Sequence, residues 1–226
     1  MLRHRKMRRA IYIAAGLLAA ALLWASWSGR VPIDRMEALG FVTGALCVWL
    51  AVKENIWNWP IGIANNITFA ILFWHRALYA NMALQGVFLF ISAYGWYEWL
   101  YGGERHTKLR VGRVSTRMAA TLFALSIPAT YFLTIQLRNV SGAAPLLDAV
   151  TTVMSLAAQF LLSRKILENW YVWIAVDLVY LVLFTYRQLY LTSLLYLIFL
   201  VMCIAGARAW RASLAGQQDG LARAEA

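Results

Sequence analysis

One carboxylate and a set of amides stand inside stretches of this chain that are otherwise apolar. In the run 169–186, Asn169, Trp173, Asp177 and Tyr180 fall within roughly 80° of one another at about 100° per residue, so a helix lines them along one face. In the run 57–75, Asn58, Gly62, Asn65, Asn66 and Phe69 fall on one face by the same rule. A third stripe, Asn81, Gln85, Phe88 and Ser92, has the spacing of successive helical turns, and Thr192, Tyr196, Phe199 and Cys203 repeat it. Amides bond hydroxyl groups such as those of a ribose, and aromatic rings stack on flat heterocycles or attract cationic ones. Together these side chains suit a neutral or singly charged small molecule.

Polar groups inside a membrane are costly. An ionised Asp at a helix centre costs about 2.5–3.5 kcal/mol. Asp177 could bind a cation, relay protons, attract a cationic substrate or hydrogen-bond a neighbouring helix. With no second acid or base inside a span, a proton pump is poorly supported. Amides and hydroxyls also act as glue between helices, at about 0.6–2 kcal/mol per bond. Clustering of the set therefore carries more weight than any single residue.

The set is duplicated. Residues 58–99 recur without a gap at 169–210, with 14 of 42 positions identical, including Asn58, Trp59, Gly95 and Trp99. Asn66 and Asp177 occupy one repeat position, as do Asn58 and Asn169. Gly62 is expected to face Trp173, Asn66 to face Asp177 and Gln85 to face Tyr196 across an axis between the copies. Duplicated membrane units enclosing a site are a common architecture of secondary transporters.

The elements that position these residues are membrane helices. The composition is 62% hydrophobic and the mean hydropathy is +0.61, well above soluble domains. Eight apolar runs, near 10–28, 35–52, 57–75, 79–101, 117–136, 145–163, 169–186 and 189–210, each have the length of a spanning helix. The expected fold class is all-α and polytopic. Two three-helix units, 35–101 and 145–210, are joined by a linker and inverting helix at 102–136. An odd number of crossings would invert the second copy, and the extra helix restores its orientation, giving parallel repeats in a 3+1+3 order. The run 10–28 adds an N-terminal helix after a basic tail, 1–9, and a polar tail, 211–226, is expected to fray.

The net charge of +11 follows the positive-inside rule: 16 of the 21 Lys and Arg fall on one side when the N-terminus is cytoplasmic, leaving no need for a nucleic-acid partner. Both termini are then cytoplasmic. Glu54 and Glu168 read as helix-start residues favoured by the macrodipole. Trp57, Trp74, Trp96, Trp99 and Trp210 read as an interfacial aromatic belt. Cys47 and Cys203 read as small packing residues, without disulfide or metal spacing. Phosphate-loop, zinc-peptidase and serine-hydrolase motifs are missing, so the expectation is a non-enzyme with no cofactor.

Met36-Glu37-Ala38-Leu39-Gly40, Leu46-Cys47-Val48 and Glu54-Asn55-Ile56-Trp57-Asn58-Trp59-Pro60-Ile61-Gly62 resemble the first repeat of the Pnu family of bacterial vitamin transporters. Leu78-Tyr79-Ala80-Asn81 with Leu84-Gln85, Tyr94-Gly95-Trp96-Tyr97-Glu98-Trp99, Glu168-Asn169-Trp170 with Trp173, and Leu189-Tyr190-Leu191-Thr192 extend the resemblance over residues 36–210. It implies a fold similar to the SWEET sugar transporters, homotrimers in the bacterial inner membrane, and facilitated diffusion of a vitamin precursor that a cytoplasmic kinase traps. It places Asn169, Trp173 and Gln85 at the substrate, followed by Thr192 and Asn81. Nicotinamide riboside is the favoured substrate. Asn58-Trp59-Pro60 also looks like relatives that carry thiamine or riboflavin, and a non-transporting membrane scaffold is the reading from a different class.

Overall fold

The computed structural model describes residues 16–29, 35–75, 79–139, 144–186, 188 and 190–225. The basic tail and the start of the expected first helix lie outside them. The described chain is helical: α1 Gly16–Trp27, α2 Arg35–Val52, α3 Asn58–His75, α4 Tyr79–Tyr101, α5 Thr116–Asn139, α6 Pro145–Ser163, α7 Asn169–Tyr186 and α8 Tyr190–Glu225. Local chemistry sets several boundaries. The Asn55 side-chain oxygen accepts from the Trp57 amide at 2.9 Å, and Pro60 lies in the first turn of α3, where its missing donor costs little. Ser115 Oγ accepts from the Met118 amide at 3.2 Å, capping α5, and Pro145 opens α6. The tail expected to fray from Ala212 is instead the continuation of α8 to Glu225.

Four described helices, α5 to α8, are both long and apolar enough to cross a membrane by length and composition. The sequence reading had expected eight such spans. α3 has Asn58, Asn65, Asn66 and His75, and α4 has Asn81, Gln85 and Glu98, and these polar residues, inward and outward, lower the hydropathy of both helices. Outward faces remain apolar. On α5, Phe123, Tyr131 and Phe132 are all more than 60% exposed, as a lipid-facing surface requires.

Within each half, α2 packs on α3 and α3 on α4, as α6 packs on α7 and α7 on α8. Between halves, α2 packs on α8 and α4 on α6, closing a circuit of six helices, while α5 packs on α6 outside it. At one end of this circuit the halves are joined by tryptophans. Trp59 meets Trp99 edge-to-face at 5.4 Å and 88°, and their repeat mates Trp170 and Trp210 meet at 5.4 Å and 87°. Trp99 and Trp210 touch each other across the halves at 5.9 Å. Trp99 Nε1 donates to the Leu162 carbonyl and Trp210 Nε1 to the Ala51 carbonyl, each at 3.0 Å. Ala51 and Leu162 are themselves 111 residues apart and lie in the last turns of α2 and α6, where each carbonyl also accepts a backbone N–H from its own turn, Glu54 N at 3.0 Å and Lys165 N at 2.9 Å. Each half therefore fills the second lone pair of a helix-end carbonyl of the other. The belt reading fails for Trp99 and Trp210, which are 4% and 0% exposed because their N–H groups reach those buried carbonyls; Trp57, Trp74 and Trp96 are exposed.

The loops beside the tryptophans are tied in the same crossed manner. Glu54 and Lys165 are repeat mates with left-handed backbones (φ 52° and 54°), and Lys165 Nζ pairs with Glu54 Oε2 at 2.9 Å. Lys165 Nζ also donates to the Leu109 carbonyl at 3.0 Å and sits 4.9 Å from the Trp99 ring centroid. The segment 107–115 straps across these loops. Gly112 N donates to the Lys165 carbonyl, Leu167 N donates to the Gly112 carbonyl, and Val111 is buried in the core. Glu168 accepts from Arg113 Nε at 3.0 Å and from the Val114 amide at 2.9 Å. Glu54 and Glu168 therefore act through tertiary partners, beyond the helix-start role read from sequence.

Gly95 and Gly206 are repeat mates against Trp59 and Trp170: an added Cβ would fall well inside van der Waals contact of the respective rings. Gly95→Ala and Gly206→Ala are each expected to lower stability by about 1–3 kcal/mol, read as a drop in the melting temperature of the purified protein. Unchanged melting in both would show that the rings relax freely. Glu54→Lys and Lys165→Glu are each expected to destabilise by leaving like charges together, and the double variant to recover part of the loss. A double variant no better than the worse single one would contradict a direct pairing of these two positions.

Candidate functional site

The polar side chains picked out from sequence fall into two places. Asn58 and Asn169 begin α3 and α7 at the tryptophan end, and are 1% and 0% exposed. The Asn169 amide group donates to the Ile166 carbonyl at 2.6 Å, and the Asn58 carbonyl accepts from Cys47 Sγ at 3.0 Å. Four polar atoms here are buried with no partner among the described residues: Asn58 Oδ1, Trp59 Nε1, Asn169 Oδ1 and Trp170 Nε1. They form two repeat-related sets, each with one acceptor and one donor. Leaving such a bond unmade costs about 1–3 kcal/mol apiece, so both halves carry the same unmet polar demand at this enclosed end. Trp173 is half-buried and packs against this core.

The second place lies further along the helices. Asn66 Nδ2 donates to Ser92 Oγ at 3.3 Å, tying α3 to α4. The repeat-equivalent contact in the other half is Cys203 Sγ donating to Asp177 Oδ2 at 3.4 Å, tying α7 to α8. Asp177 is 5% exposed and Cys203 4%. Tyr180 donates to Thr151 Oγ1 on α6 at 3.0 Å, and its ring lies 4.8 Å from Tyr196. Phe184 stacks on both tyrosines, at 5.7 Å and 5.3 Å. Phe199 lies 6.2 Å from Tyr196, and Phe41 of α2 approaches Phe199 at 6.3 Å. Asp177, Tyr180 and Tyr196 are thus brought together on the second half, with α2 of the first half alongside. In the first half the matching stack is Phe69 on Phe73 at 5.9 Å.

Other sequence-selected residues are placed differently. Gln85 and Thr192 are half-buried on α4 and α8, whereas Asn81 is exposed. The expectation that Gly62 faces Trp173 does not hold: a Cβ on Gly62 would meet Cys47 Sγ of α2 at 3.2 Å. Asn65 is likewise used against α2, donating to the Gly40 carbonyl at 2.6 Å and to Thr43 Oγ1 at 2.8 Å. Asn66 and Asp177 each bond within their own half. In each case a neighbouring helix offers a nearer partner than the far side of the bundle.

The sequence reading missed Trp59, Trp99, Trp170 and Trp210 as one joint unit, along with Thr151, Phe184 and Phe41. Their signal was present in part: the tryptophans and the glycines beneath them are identical positions of the repeat. At the same end, Arg164 donates to the Tyr94 hydroxyl at 2.8 Å and pairs with Glu98 at 3.3 Å. The hydrogen bond to Tyr94 is the main cause that raises the Arg164 pKa, against a lowering from burial.

The family described as nicotinamide mononucleotide transporter matches residues 34–212. The nicotinamide riboside transporter PnuC of Escherichia coli (strain K12) is 28% identical over 209 residues, covering 81% of this chain and 87% of that protein. The riboflavin/roseoflavin transporter RibM of Streptomyces davaonensis is 24% identical over 182 residues, covering 77% and 83%. The crystal structure of the vitamin B3 transporter PnuC matches the fold with a TM-score of 0.66 at 23% identity, covering 89% of this chain and 92% of that one. The matched span takes in both three-helix halves, the helix between them, the tryptophan end and every polar residue described above: the chain belongs to the nicotinamide mononucleotide transporter family.

Proposed function

We propose that this protein carries nicotinamide riboside across the bacterial inner membrane by facilitated diffusion, for NAD synthesis. The observation that carries the reading is the set of unpartnered polar atoms at Asn58, Trp59, Asn169 and Trp170, next to Trp173. Amide oxygens and indole N–H groups match the hydroxyls of a ribose, and a flat ring stacks on the aromatic side chains. The named activity of the Escherichia coli relative supports the riboside. A mononucleotide suits the interior less well. Its phosphate calls for Lys or Arg, and α3, α4 and α7 contain neither, whereas α7 holds Asp177.

In this reading Asn169, Trp173, Gln85, Asn66, Asp177, Tyr180, Tyr196, Asn58, Asn81 and Thr192 line the substrate path. The arrangement is a SWEET-like 3+1+3 bundle, with halves 35–101 and 145–210, the joining unit 102–136, and an extra helix within 10–28. Homotrimers, cytoplasmic termini and trapping of the product by a cytoplasmic kinase complete the proposal. The tryptophan end, with its basic loops, then faces the cytoplasm. Carriage of riboflavin is the second reading, favoured by the match to the Streptomyces relative, and thiamine is a third.

Labelled-vitamin uptake into cells lacking their own transporters separates these substrates. Nicotinamide riboside accumulation is expected, and accumulation of riboflavin or thiamine alone would replace the assignment. Asn169→Ala and Trp173→Ala are each expected to cut uptake at least about tenfold while the protein still inserts and assembles. Full-rate transport by both variants would move the site elsewhere.

A further inference from the structure

We propose that the α7–α8 face of the second half is a charge filter. Asp177, together with the rings of Tyr180, Phe184, Tyr196 and Phe199, accepts a flat aromatic ring bearing a positive charge in preference to an uncharged ring of the same shape. This deepens the transport reading above and rests on it.

Comparison of the halves carries the argument. In the first half a neutral amide, Asn66, ties α3 to α4 through Ser92. In the second half a carboxylate occupies the same repeat position and makes the same kind of contact, through Cys203. Helix packing therefore needs only a polar group there, and a carboxyl group exceeds that need. Its ionised form is costly without a cation, because Asp177 is 5% exposed and its one hydrogen bond among the described residues comes from a thiol, a weak donor. A cationic guest is what would favour that form. The described ion pairs leave it without a cation: Arg113 serves Glu168, Arg164 serves Glu98 and Lys165 serves Glu54. α7 contains no Lys or Arg, and those of α8 begin at Arg208, more than a turn beyond Cys203.

The surroundings supply the complement to a cationic ring. Tyr180 and Tyr196 lie 4.8 Å apart, and Phe184 stacks against Tyr196 at an interplanar angle of 18°. Aromatic faces attract cations, more strongly when water is excluded. The first half has Gln85 where Tyr196 stands and no charged side chain on α3 beyond the terminal His75. Charge and rings are therefore concentrated on one side of a duplicated frame. A ligand with a cationic heterocycle at one end and a polyol or other neutral polar group at the other matches that asymmetry: the ring goes to α7–α8 and the polar end to the amides.

Matched pairs that differ in charge and hardly in shape test this. Nicotinamide riboside is compared with its neutral dihydropyridine form, and thiamine with the neutral 3-deaza analogue, in uptake by proteoliposomes of the purified full chain. The wild type is expected to prefer the cation of the transported pair by about tenfold or more. Asp177→Asn, which copies Asn66, is expected to bring that ratio to near one. Asp177→Glu is expected to keep the preference even where the rate falls, and it serves if the Asn variant does not assemble. An unchanged ratio in Asp177→Asn, or no preference in the wild type, overturns the charge filter. Transport of the thiamine pair alone, with the ratio collapsing in Asp177→Asn, sustains the filter and overturns the nicotinamide riboside assignment. Uptake of neither cation overturns both.

Discussion

A buried indole is stabilised when its N–H meets an acceptor, and a carbonyl in the last turn of a helix has a second lone pair to offer. In this protein each need meets the other across the duplication: Trp99 reaches Leu162 and Trp210 reaches Ala51. Neither half can complete its own end. The edge-to-face pairs with Trp59 and Trp170, the glycines that admit those rings, and the Glu54–Lys165 pair all depend on this crossed registration. In a membrane, where apolar surface alone does not drive helices together, such directional contacts decide how two similar halves dock.

Above that closed end the symmetry relaxes. The bond between the middle and third helices of each half is kept, but the donor changes sides: Asn66 of the middle helix donates to Ser92 in the first half, and Cys203 of the third helix donates to Asp177 in the second. The aromatic ladder grows on one side, where Tyr180, Phe184, Tyr196 and Phe199 stand against Phe69 and Phe73 on the other. The frame is thus symmetric at its joint and asymmetric in its interior. The buried polar atoms of Asn58, Trp59, Asn169 and Trp170 that have no partner among the described residues lie at the joint itself, enclosed by the tryptophan packing.

The sequence revealed most where a pattern was long. Helical runs of 18 or more residues, the 111-residue spacing and the polar faces were visible because periodicity accumulates over many positions. Single-residue roles were harder. Trp99 and Trp210 sit near helix ends, as belt residues do, and only the approach of the other half buries them. Glu54 could be read as a helix-start carboxylate, and only the fold brings Lys165 to it. The strap 107–115 looked like a hydrophilic linker, yet Val111 is 3% exposed and Gly112 pairs with the 164–168 loop.

By itself the sequence determined the helical class, the duplication and the chemical character of the interior. Those follow from local residue types and their spacing, which act whatever the partner. The tertiary structure decided which partner each polar group takes: Asn66 with Ser92 and Asn65 with α2, Gly62 against Cys47 in place of Trp173, and Asp177 with a thiol and, among the described residues, no cation. Those outcomes depend on distances between helices far apart in the chain, and a hydrogen bond or ion pair exists only where packing brings its two ends within about 3 Å.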